Sequence, residues 1–230
     1  MGMEKIATPA RKLVFCSDKL TKVLIKILLW GHSFSYRAVG FLAATPAEKN
    51  LHPKHRIMNY HAFFVDNVND GDTVLDIGCG NGALTYDVAR KAGQVVGIDL
   101  KEKSISLARQ RYSRGNIKYI CGNVLSDLPD ERFDVVILSN VLEHIDERVE
   151  FLKRLREMAP KFLIRVPMIN RDWITIYKKE LGLDYRLDKE HYVEYTLESF
   201  EEELEEVGLG IQNYSIQFSE IWAVVGVNYG

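Results

Sequence analysis

The sequence predicts an open α/β fold: a mostly parallel sheet of about seven strands with helices on its faces and a further helical segment in front. Three observations carry that expectation. From Asp72 onward, short β-branched runs alternate with helical patterns, the signature of parallel strands linked by crossover helices. The first run, Val74–Ile77, leads directly into alternating glycines at 78, 80 and 82 and then into a helix. The chain closes on two β-rich runs joined at Ser219–Glu220, a link too short for a crossover helix, so those two strands must pair antiparallel.

In chain order, strands are expected at Thr73–Gly78, Val95–Leu100, Ile117–Gly122, Phe133–Asn140 and Lys161–Met168. Helices fit between them at Ala83–Ala92, Lys103–Ser113 and Glu147–Met158. The last helix sets Val149, Leu152, Leu155 and Met158 at three-residue steps, which gives one stripe to bury against the sheet. Thr196 suits the N-cap of a helix through Leu197, Phe200, Leu204 and Val207, and Gly208 stops it. The closing hairpin is Ile211–Phe218 and Ile221–Val227. Residues 1–70 stand outside this alternation and read as two or three helices, leaving 71–230 as the main domain.

A length of 230 residues suits one domain with an appended segment. The net charge of −2 gives no global attraction to nucleic acid, and no aromatic–basic platform stands out, so nucleic acid is not an expected partner. The charge is unevenly spread: residues 1–60 hold ten Lys/Arg and three Asp/Glu, leaving twenty and twenty-nine in the remainder. The front is basic and the body acidic. The three cysteines, Cys16, Cys79 and Cys121, are odd in number and lack CxxC spacing, which suggests neither a disulfide framework nor a zinc site and fits a cytoplasmic protein. His52, His55 and His61 have no metal-ligand spacing either, so no metal is expected.

The most apolar early stretch, Val23–Trp30, is broken by Lys26 and falls short of the ~20 residues that cross a bilayer. Around it, Val14, Leu20, Val23, Leu24, Ile27 and Leu28 are interleaved with Lys12, Lys19, Lys22 and Lys26. Two readings stay open. The segment is a helix covering the sheet or a partner subunit in a homodimer, or it is a basic amphipathic helix in peripheral contact with a membrane.

The glycine run carries the chemistry. Missing Cβ atoms let the turn tighten and let a ligand approach the backbone, so a nucleoside-bearing ligand is expected there. Gly78-x-Gly80-x-x-Ala83 also satisfies the dinucleotide fingerprint, and Asp99, at the end of the second strand, can accept from both ribose hydroxyls in either case. Asp76 discriminates: a carboxylate beside the loop attracts the ammonium of an amino acid and repels a pyrophosphate.

Asp76-x-Gly78-x-Gly80-x-Gly82, Asp99, Cys121-Gly-Asn123-Val124 and Phe133-Asp-Val-Val-Ile-Leu-Ser-Asn-Val-Leu-Glu-His144 together resemble the ordered motifs of class I S-adenosylmethionine (SAM) dependent methyltransferases, across residues 55–230. The resemblance implies a Rossmann-like, doubly wound, seven-stranded sheet with the last strand antiparallel. It implies SAM as cofactor, bound by Asp76, Gly78, Cys79, Gly80, Gly82, Asp99 and Leu100. Asn123, where the family usually has Asp, would accept from the adenine amino group beside Val124, and Ser139 and Asn140 would border the methionine end. Arg56 or Tyr60 would reach the SAM carboxylate.

Cys79 is read as a small apolar filler within the loop rather than a nucleophile. The resemblance places the acceptor pocket under residues 169–196. A hydroxyl acceptor would need a base, and His191 and His144 are the residues of suitable type. His191 is expected to line the pocket, whereas His144 follows a strand end and is expected to pack. The function expected is methyl transfer to a small-molecule acceptor: a sugar, quinone-like or lipid-linked compound. An NAD-dependent oxidoreductase using the same glycines, and a non-enzymatic adapter, are the rivals.

Overall fold

The computed structural model describes residues 17–43 and 53–228. Lys12, Val14, Cys16 and His52 lie outside them. Contacts divide the chain into two compact units, Met1–Ile57 and Met58–Gly230. The first contains one long helix, α1 (Asp18–Ala43), followed at the boundary by α2 (Pro53–Met58).

The second unit is built on a seven-stranded sheet. Its elements run α3 (Tyr60–Asp66), β1 (Thr73–Ile77), α4 (Ala83–Val88), β2 (Gln94–Asp99), α5 (Glu102–Arg111), β3 (Ile117–Cys121), β4 (Val135–Ser139), α6 (Arg148–Arg156), β5 (Lys161–Pro167), α7 (Trp173–Glu180), α8 (Leu197–Glu206), β6 (Leu209–Gln217) and β7 (Glu220–Val227). The strand order is β3-β2-β1-β4-β5-β7-β6. β1 to β5 pair in parallel, while β7 runs antiparallel to both β5 and β6.

Both faces are covered, which explains the near-continuous apolar strands. Successive side chains alternate sides. Leu75, Ile77, Val136 and Leu138 face one core with Phe151, Leu152 and Leu155 of α6 and Phe200 and Leu204 of α8. Val74, Val95 and Ile137 face the other with Phe64 of α3, Leu84 and Val88 of α4, and Trp222 of β7. Each large side chain so buried contributes about 1.5–3 kcal/mol. The stripe expected on α6 is in place, although Val149 and Met158 sit only half-buried at its ends.

The boundary between units falls at residue 58 rather than 70, because Tyr60, Phe64 and Val68 belong to the sheet's own core. Asn59, at φ 47°, separates α2 from α3. A second difference is α7, which the sequence did not suggest. Its start signal is Asp172, whose side chain accepts from the Thr175 N–H as an N-cap. The closing hairpin begins two residues early, at Leu209, and carries an irregularity between Ile211 and Asn213. Thr196 caps α8 as expected, in a reciprocal box with Ser199.

Candidate active site

The strand order reverses between β1 and β4, and in open α/β sheets ligands bind at such a point, outside the carboxyl ends of the strands. The cofactor residues read from the sequence come to this edge from four successive strands. The glycine loop follows β1, Asp99 ends β2 with Leu100 after it, Asn123 and Val124 follow β3, and Ser139 ends β4 with Asn140 next.

Backbone geometry fixes the loop. The N–H groups of Gly78 and Cys79 both donate to the Ile98 carbonyl, at 2.8 and 3.1 Å. Gly78, Gly80 and Gly82 all have positive φ, a region costly for side-chain-bearing residues. Their surroundings differ. A Cβ at Gly78 would lie 2.6 Å from a Val141 methyl, and one at Gly82 would lie 2.5 Å from the Tyr119 hydroxyl, whereas one at Gly80 would meet nothing within 4 Å. The outer glycines are required by packing, and the middle one leaves open space. Cys79 packs with Ile105, Ala108 and Tyr119, and burial pushes its thiol far above the usual range. It is inert filler.

Asp76 is fully buried beneath this loop and accepts from the Thr85 hydroxyl at 2.6 Å. Burial pushes its carboxyl up to about 7, against the opposing Thr85 hydrogen bond and with help from nearby Asp99. A cation arriving beside it would restore the charged form. Asp99 accepts from the Gly80 N–H at 3.0 Å and the Lys101 N–H at 2.8 Å, so two amides aim its carboxylate while each oxygen keeps acceptor capacity. Asn123 is exposed, and its amide oxygen already accepts from the Leu125 N–H at 3.0 Å. One lone pair remains for an adenine amino group. Leu100 is exposed beside it, and Val124 is half-buried against the core.

At the end of β4, Asn140 adopts φ 56° and its amide oxygen accepts from Arg165 Nε at 2.7 Å. Arg165, nearly buried on β5, also pairs with Glu220 at 3.3 Å and lies 3.7 Å over the Tyr60 ring. Tyr60, expected to face the SAM carboxylate, is thus a buried shelf for a guanidinium. Sequence reading missed Arg165, because a lone charge inside an apolar strand carries no motif.

On the acceptor side, the structure brings together the two histidines that the sequence treats as competitors. Their rings meet edge to face, with centroids 4.7 Å apart. His144 ends a short 3-10 turn, Leu142–His144, and the Tyr192 N–H donates to the Glu143 carbonyl at 2.8 Å, which pins the His191 loop to that turn. His191 is buried, with Nδ1 3.1 Å from Glu194 Oε1. Glu194 also accepts from the Leu187 N–H at 2.6 Å and from Arg171. Burial raises the Glu194 carboxyl, but these hydrogen bonds outweigh it and hold the group below its usual range. An ionised carboxylate at Nδ1 fixes the proton there and leaves Nε2 as an acceptor. For His144, burial first and the neighbouring His191 second hold the imidazole below its usual range.

Glu143 is the unexpected member. It is fully buried, neither carboxylate oxygen has a hydrogen-bond partner, and burial pushes it up to about 8. One ligand atom from each of Glu143, His144 and His191 can be chosen so that all three lie within 4.8 Å of one another, spacing that suits a divalent cation. The sequence hid this cluster because its members come from two segments 47 positions apart.

Residues 75–160 match the family model described as a methyltransferase domain. Among curated proteins, the ubiquinone biosynthesis O-methyltransferase of Bradyrhizobium diazoefficiens is 37% identical over 120 residues, 51% of this chain and 47% of that protein. The protein of the same description from Rhodopseudomonas palustris strain BisB5 is 35% identical over 118 residues, 50% of this chain and 47% of its own. The chain thus spans about half the length of the curated relatives it matches. Among solved structures, the fold is similar to magnesium protoporphyrin IX methyltransferase from Synechocystis PCC 6803 with bound S-adenosylhomocysteine (SAH), with TM-score 0.58 and 21% identity over 76% of this chain and 83% of that one. It is also similar to a methyltransferase of Haloferax volcanii in complex with the Trm112 activator, with TM-score 0.62 and 16% identity over 81% and 96%.

The family implies SAM as cofactor, and the residues fit it. Open space over Gly80 admits a ligand to the backbone, the aimed Asp99 carboxylate suits two ribose hydroxyls, and the buried, single-partnered Asp76 suits an ammonium. The same Asp76 disfavours a pyrophosphate.

Proposed function

We propose that this chain transfers the methyl group of SAM to a hydroxyl oxygen of a small-molecule acceptor, with His191 as the base. The observation that carries the reading is the Arg171–Glu194–His191 chain of hydrogen bonds, which orients the imidazole at the carboxyl edge of the sheet. Bound SAM supplies a methyl already activated by the sulfonium. The protein's tasks are to align the acceptor, exclude water and remove one proton. Alignment is worth roughly 7–11 kcal/mol in well-oriented systems. His191 Nε2 accepts the hydroxyl proton, and the imidazolium that forms is stabilised by Glu194.

His144 packs against the base from one side. Trp173 on α7 and Tyr192, both exposed, flank this region and offer flat apolar surface to a ring-bearing acceptor. A hydroxylated ring also agrees with the relatives described as ubiquinone biosynthesis O-methyltransferases. The test is transfer of labelled methyl from SAM to a panel of catechols, sugars and amines. O-methylation of a catechol supports the proposal, and turnover of amines alone overturns it.

The orphaned Glu143 carboxylate favours a second reading, in which a divalent cation on Glu143, His144 and His191 lowers the acceptor's hydroxyl pKa. Turnover that survives exhaustive EDTA treatment supports the His191 base. Turnover abolished by EDTA and restored by Mn²⁺ or Mg²⁺ supports the cation.

A further inference from the structure

We infer that the exposed face of α1 lies along the surface of an anionic lipid bilayer. This rests on the helix alone and not on the methyltransferase reading. At about 100° per residue, Leu20, Val23, Ile27, Trp30, Phe34 and Phe41 fall within an arc of about 80°. All six are exposed, Trp30 at 69% and Phe41 at 80%. The Trp30 and Phe34 rings stack at 5.7 Å, making a continuous flat apolar patch along the stripe. Water gains nothing from contact with such a surface, and a stripe of this size marks an interaction site.

Leu29 is buried and Ile25 half-buried, about 160° around from the centre of the exposed stripe. Leu28, Val39 and Leu42, also exposed, extend the apolar surface on the flank of the stripe away from the basic residues.

Charge identifies the occupant. Lys19, Lys22, Lys26 and Arg37 all project within about 60° of arc along one border of the stripe, and Asp18 is the one acidic residue of the helix. Apolar side chains with a row of basic ones at their edge match a bilayer interface, where rings enter the acyl boundary and long cationic side chains reach up to phosphates. The helix lies on the membrane and does not cross it, for no helix among the described residues is long and apolar enough to span. A lipid-facing helix would bring the enzyme to lipid-linked acceptors.

The test is co-sedimentation of the full chain with vesicles of phosphatidylcholine alone or with phosphatidylglycerol added, at low and high salt. The inference expects binding to the anionic vesicles, weakened about tenfold or more by high salt. Phe34→Asp should weaken it about tenfold with melting temperature unchanged, since the side chain contacts solvent. Lys22→Glu combined with Lys26→Glu should do the same while leaving the apolar stripe intact. No sedimentation at low salt, or equal binding to neutral vesicles, overturns the inference. So does a concentration-dependent dimer, measured by ultracentrifugation, that Phe34→Asp dissociates while vesicle binding is absent.

Discussion

The two halves of the site are built from different materials. On the cofactor half, backbone does the positioning: glycines with positive φ shape the loop, and main-chain N–H groups aim Asp99. On the acceptor half, side chains hold one another, with Arg171 on Glu194, Glu194 on His191 and His191 against His144. The first half is tied directly to the sheet. The second hangs on segments between β5 and α8 and is anchored through side-chain contacts and the Tyr192–Glu143 hydrogen bond. Such a division lets the cofactor site stay constant while the acceptor site changes, and it predicts that removing the His191 side chain leaves the cofactor half working.

The largest expected effect breaks the acceptor half alone. His191→Ala should lower kcat by about 10²–10⁴ with SAM affinity nearly unchanged. His144→Ala, because its ring packs against His191 and ends the turn after β4, should lower melting temperature and weaken SAM binding together. If His144→Ala alone abolishes turnover without touching stability or affinity, the two roles are reversed.

Next comes a contrast inside the cofactor half. Gly82→Ala would set a methyl against the Tyr119 hydroxyl at positive φ, and should destabilise the fold by about 2–4 kcal/mol from strain and overpacking combined. Gly80→Ala meets open space, so its cost to stability should be only the left-handed strain of about 1–2 kcal/mol, while its methyl intrudes on the ligand side and weakens SAH binding. Chemical denaturation and calorimetry on both variants separate packing from binding. Equal stabilities would break the distinction.

A smaller effect is the pH dependence of the apoprotein. Asp76 and Glu143 titrate near 3.8 and 4.5 in the unfolded chain but at about 7 and about 8 when folded. For carboxyls raised on folding, the associated stability is fully present below the unfolded values. It declines as pH rises and is completely lost above the folded ones. The apoprotein's melting temperature should therefore fall as pH rises from about 4 to about 8. Asp76→Asn and Glu143→Gln should each remove part of that fall. A flat profile in the wild type would mean both groups ionise normally.

The same contrast explains what was legible in the sequence. The cofactor half could be read because its residues sit at strand ends in chain order: a glycine run after β1, Asp99 closing β2, Asn123 after β3. Each is a local pattern with a local physical cause. The Asn140–Arg165–Glu220 group could not be read, since β5 and β7 become neighbours only through the antiparallel pairing that places Arg165 opposite Trp222. His191 was visible as a residue type, but its partnership with His144 and Glu143 is long-range. Helix α7 went unseen because Asp172 gives only a single cap ahead of a short apolar run. The depth of Tyr60 escaped for another reason: it falls in the stretch assigned to the front segment, and that part of the stretch belongs to the sheet's own core.

The measurement that bears most directly on the division of labour is a calorimetric titration of SAH, with NADH as comparator, into the wild type, Asp99→Ala and His191→Ala. SAH should bind the wild type and NADH should not. His191→Ala should bind SAH as the wild type does, and Asp99→Ala should bind it more weakly by about 1.5–3 kcal/mol through loss of charge-assisted hydrogen bonds. Tighter binding of NADH than of SAH, or an Asp99→Ala affinity equal to the wild type, would contradict the account.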